Sequence, residues 1–137
     1  MQTFLADGGA LQVVFQANQP PEESTTVTVT VHVGPDAANS VAVTAAVELD
    51  PFYTLNAAGG FTVAKGDANG TTLTSSDNTH LASDTSIAGV TVTPDPANPA
   101  NVKVVVAAAF SGGPTITILV HDSVTPSRTA RRTLTVT

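Results

Sequence analysis

The stretch TTVTVTVHV (Thr25 to Val33) constrains the fold more than any other part of the chain. Val27, Val29, Val31 and Val33 fall on one side, and Thr26, Thr28, Thr30 and His32 on the other. Only an extended strand sorts residues with a period of two, and its apolar face must find a second layer. β-Branched side chains also suit a pleated, half-buried surface better than a helix, which restricts their rotation.

The same rhythm returns along the chain. VAVTAAVEL turns Val41, Val43, Val47 and Leu49 inward, and NVKVVVAAAF does so with Val102, Val104, Val106, Ala108 and Phe110. TITILVHD contributes Ile116, Ile118 and Val120, and RRTLTVT contributes Leu134 and Val136. Weaker alternation marks Leu11 to Ala17, Phe61 to Ala64, Thr71 to Ser75 and Ala88 to Thr93. Between these runs stand Gly8-Gly9, Pro20-Pro21, Gly34-Pro35-Asp36, Gly59-Gly60, Asp67 to Gly70, Pro94 to Pro99 and Gly112-Gly113-Pro114, all turn chemistry. No segment sustains a helical period, and residues 75 to 87 read as a long loop or a short helical turn. About nine short strands punctuated in this way predict an all-β chain, an antiparallel sandwich. VGPDAANSVAVTAAVEL and VTPDPANPANVKVVVAAAF echo one another, which duplication or Pro-Asp turn chemistry alone would produce.

With 137 residues the chain reads as one domain, 1–137, large enough for a core without staples. It needs to be, because cysteine is absent and disulfides and thiolate metal sites are excluded. Charged residues make up only 12%, so the exposed faces must be Thr- and Ser-rich or covered by neighbours. No apolar run is long enough for a spanning helix, and MQTFLADGGALQVVF lacks the basic start and cleavage site of an export signal. The expectation is a protein made in the cytoplasm, or a fragment given a starting Met.

The candidate chemistry is thin. His32 and His121 fall on the polar sides of their strands and His80 in a loop, with no paired spacing for a metal or a catalytic triad. GDANGT (Gly66 to Thr71) has the first half of a calcium-loop spacing but lacks the later carboxylates, so it reads as a turn closed by an Asp side chain. Phe52-Tyr53 is the only adjacent aromatic pair, and it reads as a core plug or turn anchor before a glycan platform. Nucleic acid is disfavoured: residues 1–102 hold one cation and ten acids, which repel phosphate. The expectation is therefore no enzyme, no cofactor, no metal, no nucleic acid and no membrane.

The remaining four cations fall in residues 103–137, and three of them, Arg128, Arg131 and Arg132, crowd the last ten. Two readings stand side by side. The arginines solvate a final strand and discourage edge pairing, or they set a basic end against acids such as Asp36, Glu48 or Asp50 of a neighbouring copy. Outward apolar positions, Ala42, Ala46, Val105, Ala107, Ala109 and Leu119, would add burial to such a contact if they lie together.

The closing SGGPTITILVHDSVTPSRTARRTLTVT resembles the last hairpin of bacterial and phage immunoglobulin-like domains. Gly113, Thr115 to Val120, Asp122 and Arg132 to Val136 match its glycine turn, its strand ending in Asp and its final strand. The match covers about the last 27 residues and only the strand rhythm elsewhere, and the Cys…Trp…Cys arrangement of antibody domains is absent. The resemblance implies an Ig-like Greek-key sandwich, with a jelly roll as the alternative. It implies structural or adhesive work: a phage virion component such as a capsid decoration protein, or a module of a secreted bacterial surface protein or adhesin. On the first reading the location is the virion and the partners are the major capsid protein or copies of the chain in a homo-oligomer. Arg128, Arg131, Arg132, Val105, Ala107 and Leu119 are the candidate contact residues. On the second the location is extracellular or the bacterial surface.

Overall fold

The computed structural model describes residues 2–5, 11–14, 21–33 and 41–137. Among these there are twelve strands and no helix. The chain is all-β and sandwich-like. The expected turns at Gly8-Gly9 and Gly34-Pro35-Asp36, and the end of the strand expected to reach Ala17, lie outside the described residues.

β1 (Gln2–Leu5) pairs with β2 (Leu11–Val14), and β3 (Thr25–Val33) with β4 (Val41–Leu49), each pair an antiparallel ribbon. The remaining strands are β5 (Leu55–Asn56), β6 (Thr62–Val63), β7 (Thr71–Ser75), β8 (Leu81–Ser83), β9 (Val90–Pro94), β10 (Asn101–Val106), β11 (Thr115–Asp122) and β12 (Thr129–Val136). They form two four-stranded sheets, ordered β5-β7-β10-β9 and β6-β12-β11-β8. The expectation of purely antiparallel pairing needs correction: β6 runs parallel to β12, Thr62 beside Thr135 and Val63 beside Val136, and Lys65 bridges Val106 in parallel as well.

Burial alternates residue by residue. Leu73, Val102, Val104 and Val106 of the first sheet face Val63, Ile116, Ile118, Val120, Leu134 and Val136 of the second. Each such side chain contributes roughly 1.5–3 kcal/mol by leaving water. Tyr53 stops one end of this aliphatic layer and Phe110 the other. Two close approaches demand glycine. Gly70 has φ +60°, and a Cβ there would sit 2.1 Å from the Val104 carbonyl oxygen; at Gly112 it would meet the Phe110 ring at 2.2 Å.

Ala108, expected to face inward, is exposed, because β10 ends at Val106 and a turn closed by Phe110 N–H on Ala107 O intervenes. The segment expected as a loop or helical turn holds β8, which pairs with the end of β11. Both halves of the internal echo are antiparallel hairpins, β3–β4 and β9–β10.

The ribbon β3–β4 carries the strongest alternation in the sequence, yet neither strand joins a four-stranded sheet. Val27, Val47 and Leu49 are half-buried, whereas the aliphatic layer between the four-stranded sheets draws on buried side chains from Tyr53 to Val136. Ile118→Ala and Leu134→Ala are each expected to destabilise by about 2–5 kcal/mol in denaturant unfolding, and Val27→Ala by about 1 kcal/mol or less. Equal losses at all three positions would show that the ribbon is packed as tightly as the two four-stranded sheets.

Candidate functional site

The strand directions bring four segments to one end of the sandwich: the approach to β5, the β7–β8 loop, the β9–β10 loop and the β11–β12 loop. One arginine ties three of them. Arg128 Nη2 donates to Asp77 Oδ2 at 2.7 Å and Nη1 to Asp122 Oδ2 at 3.1 Å. Its guanidinium lies 5.8 Å from the centre of the Tyr53 ring, and the Tyr53 hydroxyl donates to the Arg128 carbonyl at 3.5 Å.

Local turn chemistry prepares both carboxylates. In SSDNTH, Asp77 Oδ1 accepts the Ser75 hydroxyl at 2.7 Å, the Thr79 hydroxyl at 2.6 Å and the Thr79 N–H at 3.1 Å. Ser75 is buried and its oxygen accepts the Thr79 N–H at 2.9 Å, so the loop closes on its own side chains. Asn78 takes the left-handed backbone conformation, φ 60°, that Asn tolerates. In DSVTPSR, Asp122 Oδ1 accepts the Val124 N–H at 2.9 Å, and Arg128 N–H closes on Thr125 O at 2.9 Å. Ser123 N–H reaches His80 O at 2.8 Å, which joins the two loops through backbone as well.

The electrostatics follow from this packing. Burial opposes ionisation of Asp77, but hydrogen bonds from Thr79, Ser75 and Arg128 outweigh it and hold the carboxyl well below the usual range. The Val124 N–H, against the effect of burial and with help from Thr125 and Arg128, holds Asp122 down as well. The hydrogen bond to Asp77 raises Arg128. Burial, with Asp122 and Asp77 close by, pushes the Tyr53 phenol up to about 12. The clamp is thus locked as two carboxylates, one guanidinium and a neutral phenol.

Two apolar side chains stand exposed at this end, among the polar residues Ser76, Asn78, Ser123, Thr125 and Ser127. Phe52 is 61% exposed and Val124 is 76% exposed, while Tyr53, beside Phe52, is only 3% exposed. The aromatic pair therefore divides its work, one ring plugging the core and one standing in solvent. His80 is exposed at the same end.

The other sequence candidates lie apart. Arg132 falls on the inward face of β12, only 6% exposed, with its guanidinium 4.3 Å from the centre of the Phe61 ring. Its Nη1 lies 3.8 Å from Glu22 and 3.6 Å from Glu23, and Arg131 also faces Glu22 at 3.8 Å. Glu22 further accepts the Thr133 hydroxyl at 2.6 Å. Each of the three arginines thus meets acids of its own chain. Of the acids suggested for a neighbour, Glu48 is exposed, Asp50 accepts a hydrogen bond from Ser24, and Asp36 lies outside the described residues.

Val105 points outward from the first sheet and Leu119 from the second, and Ala107 sits in the turn beyond β10. Facing opposite ways, they do not form one patch. His121 Nδ1 meets Asp84 at 2.8 Å on the outer face of the second sheet, and the neighbouring Ser83 hydroxyl accepts the Thr85 N–H instead. Asp67 closes its turn on the Asn69 N–H at 2.8 Å. Among the described residues no group of three or more His, Asp or Glu is placed to hold a metal, and no helix is long and apolar enough to cross a membrane.

The clamp sets a pH dependence of known sign. Asp77 and Asp122 ionise below the ordinary Asp value of 3.8, so on acidification the unfolded chain takes up protons first. Their stabilisation is complete above that value and is lost as the pH falls through and below it. Thermal melts should be level from neutrality to about pH 5 and fall below about pH 4. Asp77→Asn should melt lower at neutral pH and show a shallower acid decline, and a parallel decline in both proteins would remove Asp77 from the clamp.

No protein-family description, no curated protein and no solved structure matches the chain.

Proposed function

We propose that the chain is a non-enzymatic, immunoglobulin-like structural protein that joins a large assembly through its clamped loop end, as a decoration protein does on a phage capsid. The observation that carries this reading is the loop end itself. Arg128 fixes two loops in one geometry, and Phe52 and Val124 stand exposed beside it. Pre-ordered loops lose little entropy on docking, and exposed apolar groups next to a rigid polar network suit a protein surface.

The strand order supports the Ig-like part over a jelly roll. With β5, β7, β8, β9, β10, β11 and β12 lettered A to G, the sheets read A-B-E-D and C-F-G, the arrangement of constant-type immunoglobulin domains. β6 is then an added short strand beside G. The loop end corresponds to the end where such domains carry their B–C and F–G loops, a place where loops serve recognition.

A second reading, a module of a secreted bacterial surface protein or adhesin, has its own support. Both four-stranded sheets are built from residues 55–136, as expected of a unit that can be strung with others.

Quantitative mass spectrometry of particles purified from the source tests the first reading. The chain should be present at a fixed ratio to the major capsid protein, and Phe52→Ser with Val124→Ser should lower that ratio while the melting temperature stays unchanged. Particles without the chain would overturn the reading. A reading frame that continues through further domains and begins with an export signal would favour the second.

A further inference from the structure

β11 is eight residues long, but β8 covers only its last three, with Ser83 beside Val120, Ala82 beside His121 and Leu81 beside Asp122. At the next outward position the chain substitutes for a strand. Asp84 N–H donates to Leu119 O at 3.0 Å, and the Thr85 hydroxyl both accepts the Leu119 N–H at 2.9 Å and donates to Leu119 O at 3.0 Å. Coverage then stops. Outward-directed backbone groups recur every second residue, so the N–H and C=O of Thr117 and Thr115 face the same side as those of Leu119. The far side agrees: Thr135 and Thr137 of β12 direct their N–H groups away from β11, to Phe61 O and Val63 O, which leaves the even-numbered residues to bond the two strands together. Among the described residues no backbone group pairs with the outward edge of Thr117.

Beside this half-strand lies a groove of about 380 Å³, walled by Ile87, Phe110 and Ile116 and floored by Gly112 and Gly113, with no charged residue in its lining. Unpaired backbone next to an uncharged groove calls for an extended, uncharged segment: its backbone completes the ladder and alternate side chains enter the groove. The chain carries such a segment. From Thr26 to Val33 β3 alternates Thr or His32 with Val and has neither Asp, Glu, Lys, Arg nor Pro, and among the described residues its sheet has only two strands. Natural edge strands are usually guarded by charge or proline, and a two-stranded ribbon is at best marginal alone.

We propose that β3 of a second copy adds to the open half of β11, at Thr115 to Ile118, so that copies join head to tail. Valines at every second position fill the groove against Phe110 and Ile116, and the threonines face solvent. Donor and acceptor are different surfaces of one chain, so the contact is heterologous and extends to further copies. It uses an edge of the sandwich other than the clamped loop end, and it stands or falls separately from the reading of that end.

The test is a complementation in solution mass, read by light scattering or sedimentation. Thr117→Pro removes an N–H that no internal bond uses, and blocks the acceptor. Gly113→Trp fills the groove where an added Cβ meets nothing within 4 Å, and serves as a second acceptor variant should proline perturb the strand. Thr28→Lys with Thr30→Lys charges the donor. Wild type should grow in mass with concentration, while each variant alone should stay monomeric with an unchanged melt. An acceptor-blocked chain mixed with a donor-blocked chain should stop at two copies. Wild type that is monomeric throughout, association that survives both kinds of variant, or a mixture that stays monomeric would overturn the proposal.

Discussion

Everything else in the molecule hangs on the contact between two aliphatic faces. Leu, Ile and Val from two four-stranded sheets meet there without a tryptophan or a disulfide to help. Such a layer works only if the strands keep their register, since a slip of one residue would turn each apolar face outward. The fixed register fixes the strand ends, and the strand ends place the loops. The clamp is the clearest product: Arg128 can span Asp77 and Asp122 because β7, β8, β11 and β12 end at one level.

What the sequence revealed depended on how burial is written into it. β11 and β12 alternate over eight residues each with one face buried; β11 is legible at its true bounds, and β12 from Arg131, two residues after its start. β5 and β8 span two and three residues, too short for any period, and their strand character comes from backbone partners elsewhere in the chain. β3 and β4 show a different limit. Alternation reports that a strand has two unlike faces, not which layer covers the apolar one, and here the rhythm belongs to a ribbon outside both four-stranded sheets. The loop end was hidden for another reason. Asp77 and Arg128 lie 51 residues apart, and each reads locally as ordinary turn chemistry. Phe52 and Tyr53 stand out in the sequence as a pair, but neighbours on a chain approaching a strand face opposite ways, and only the structure tells which is which.

The cluster of arginines at the end of an acidic chain finds a coherent account. Arg128 neutralises carboxylates that turn chemistry has already gathered. Arg132 lies on the inward face of β12, where its apolar stem covers core and its head meets the Phe61 ring and the acids of the segment before β3. Glu22 reaches Arg131, Arg132 and Thr133, beyond the stretch of β12 that β6 covers. That stretch of edge is guarded by charge, whereas the opposite edge of the same sheet, at Thr115 to Ile118, is bordered by uncharged residues. The two edges of one sheet are thus managed by different means.

The parallel pairing of β6 with β12 has a mechanical consequence. The chain enters the sandwich at Pro51, beside the clamp, and Thr137 lies at the far end, bonded through its N–H to Val63 O at 3.0 Å and through its carbonyl to Lys65 N–H at 2.8 Å. A pull between these two points runs along the strands, so it loads the hydrogen bonds on both sides of β12 in shear, all at once. Bonds loaded together resist far more than bonds opened one at a time like a zipper. The short β6, almost negligible as a strand, therefore acts as a brace where tension along the chain would first be felt.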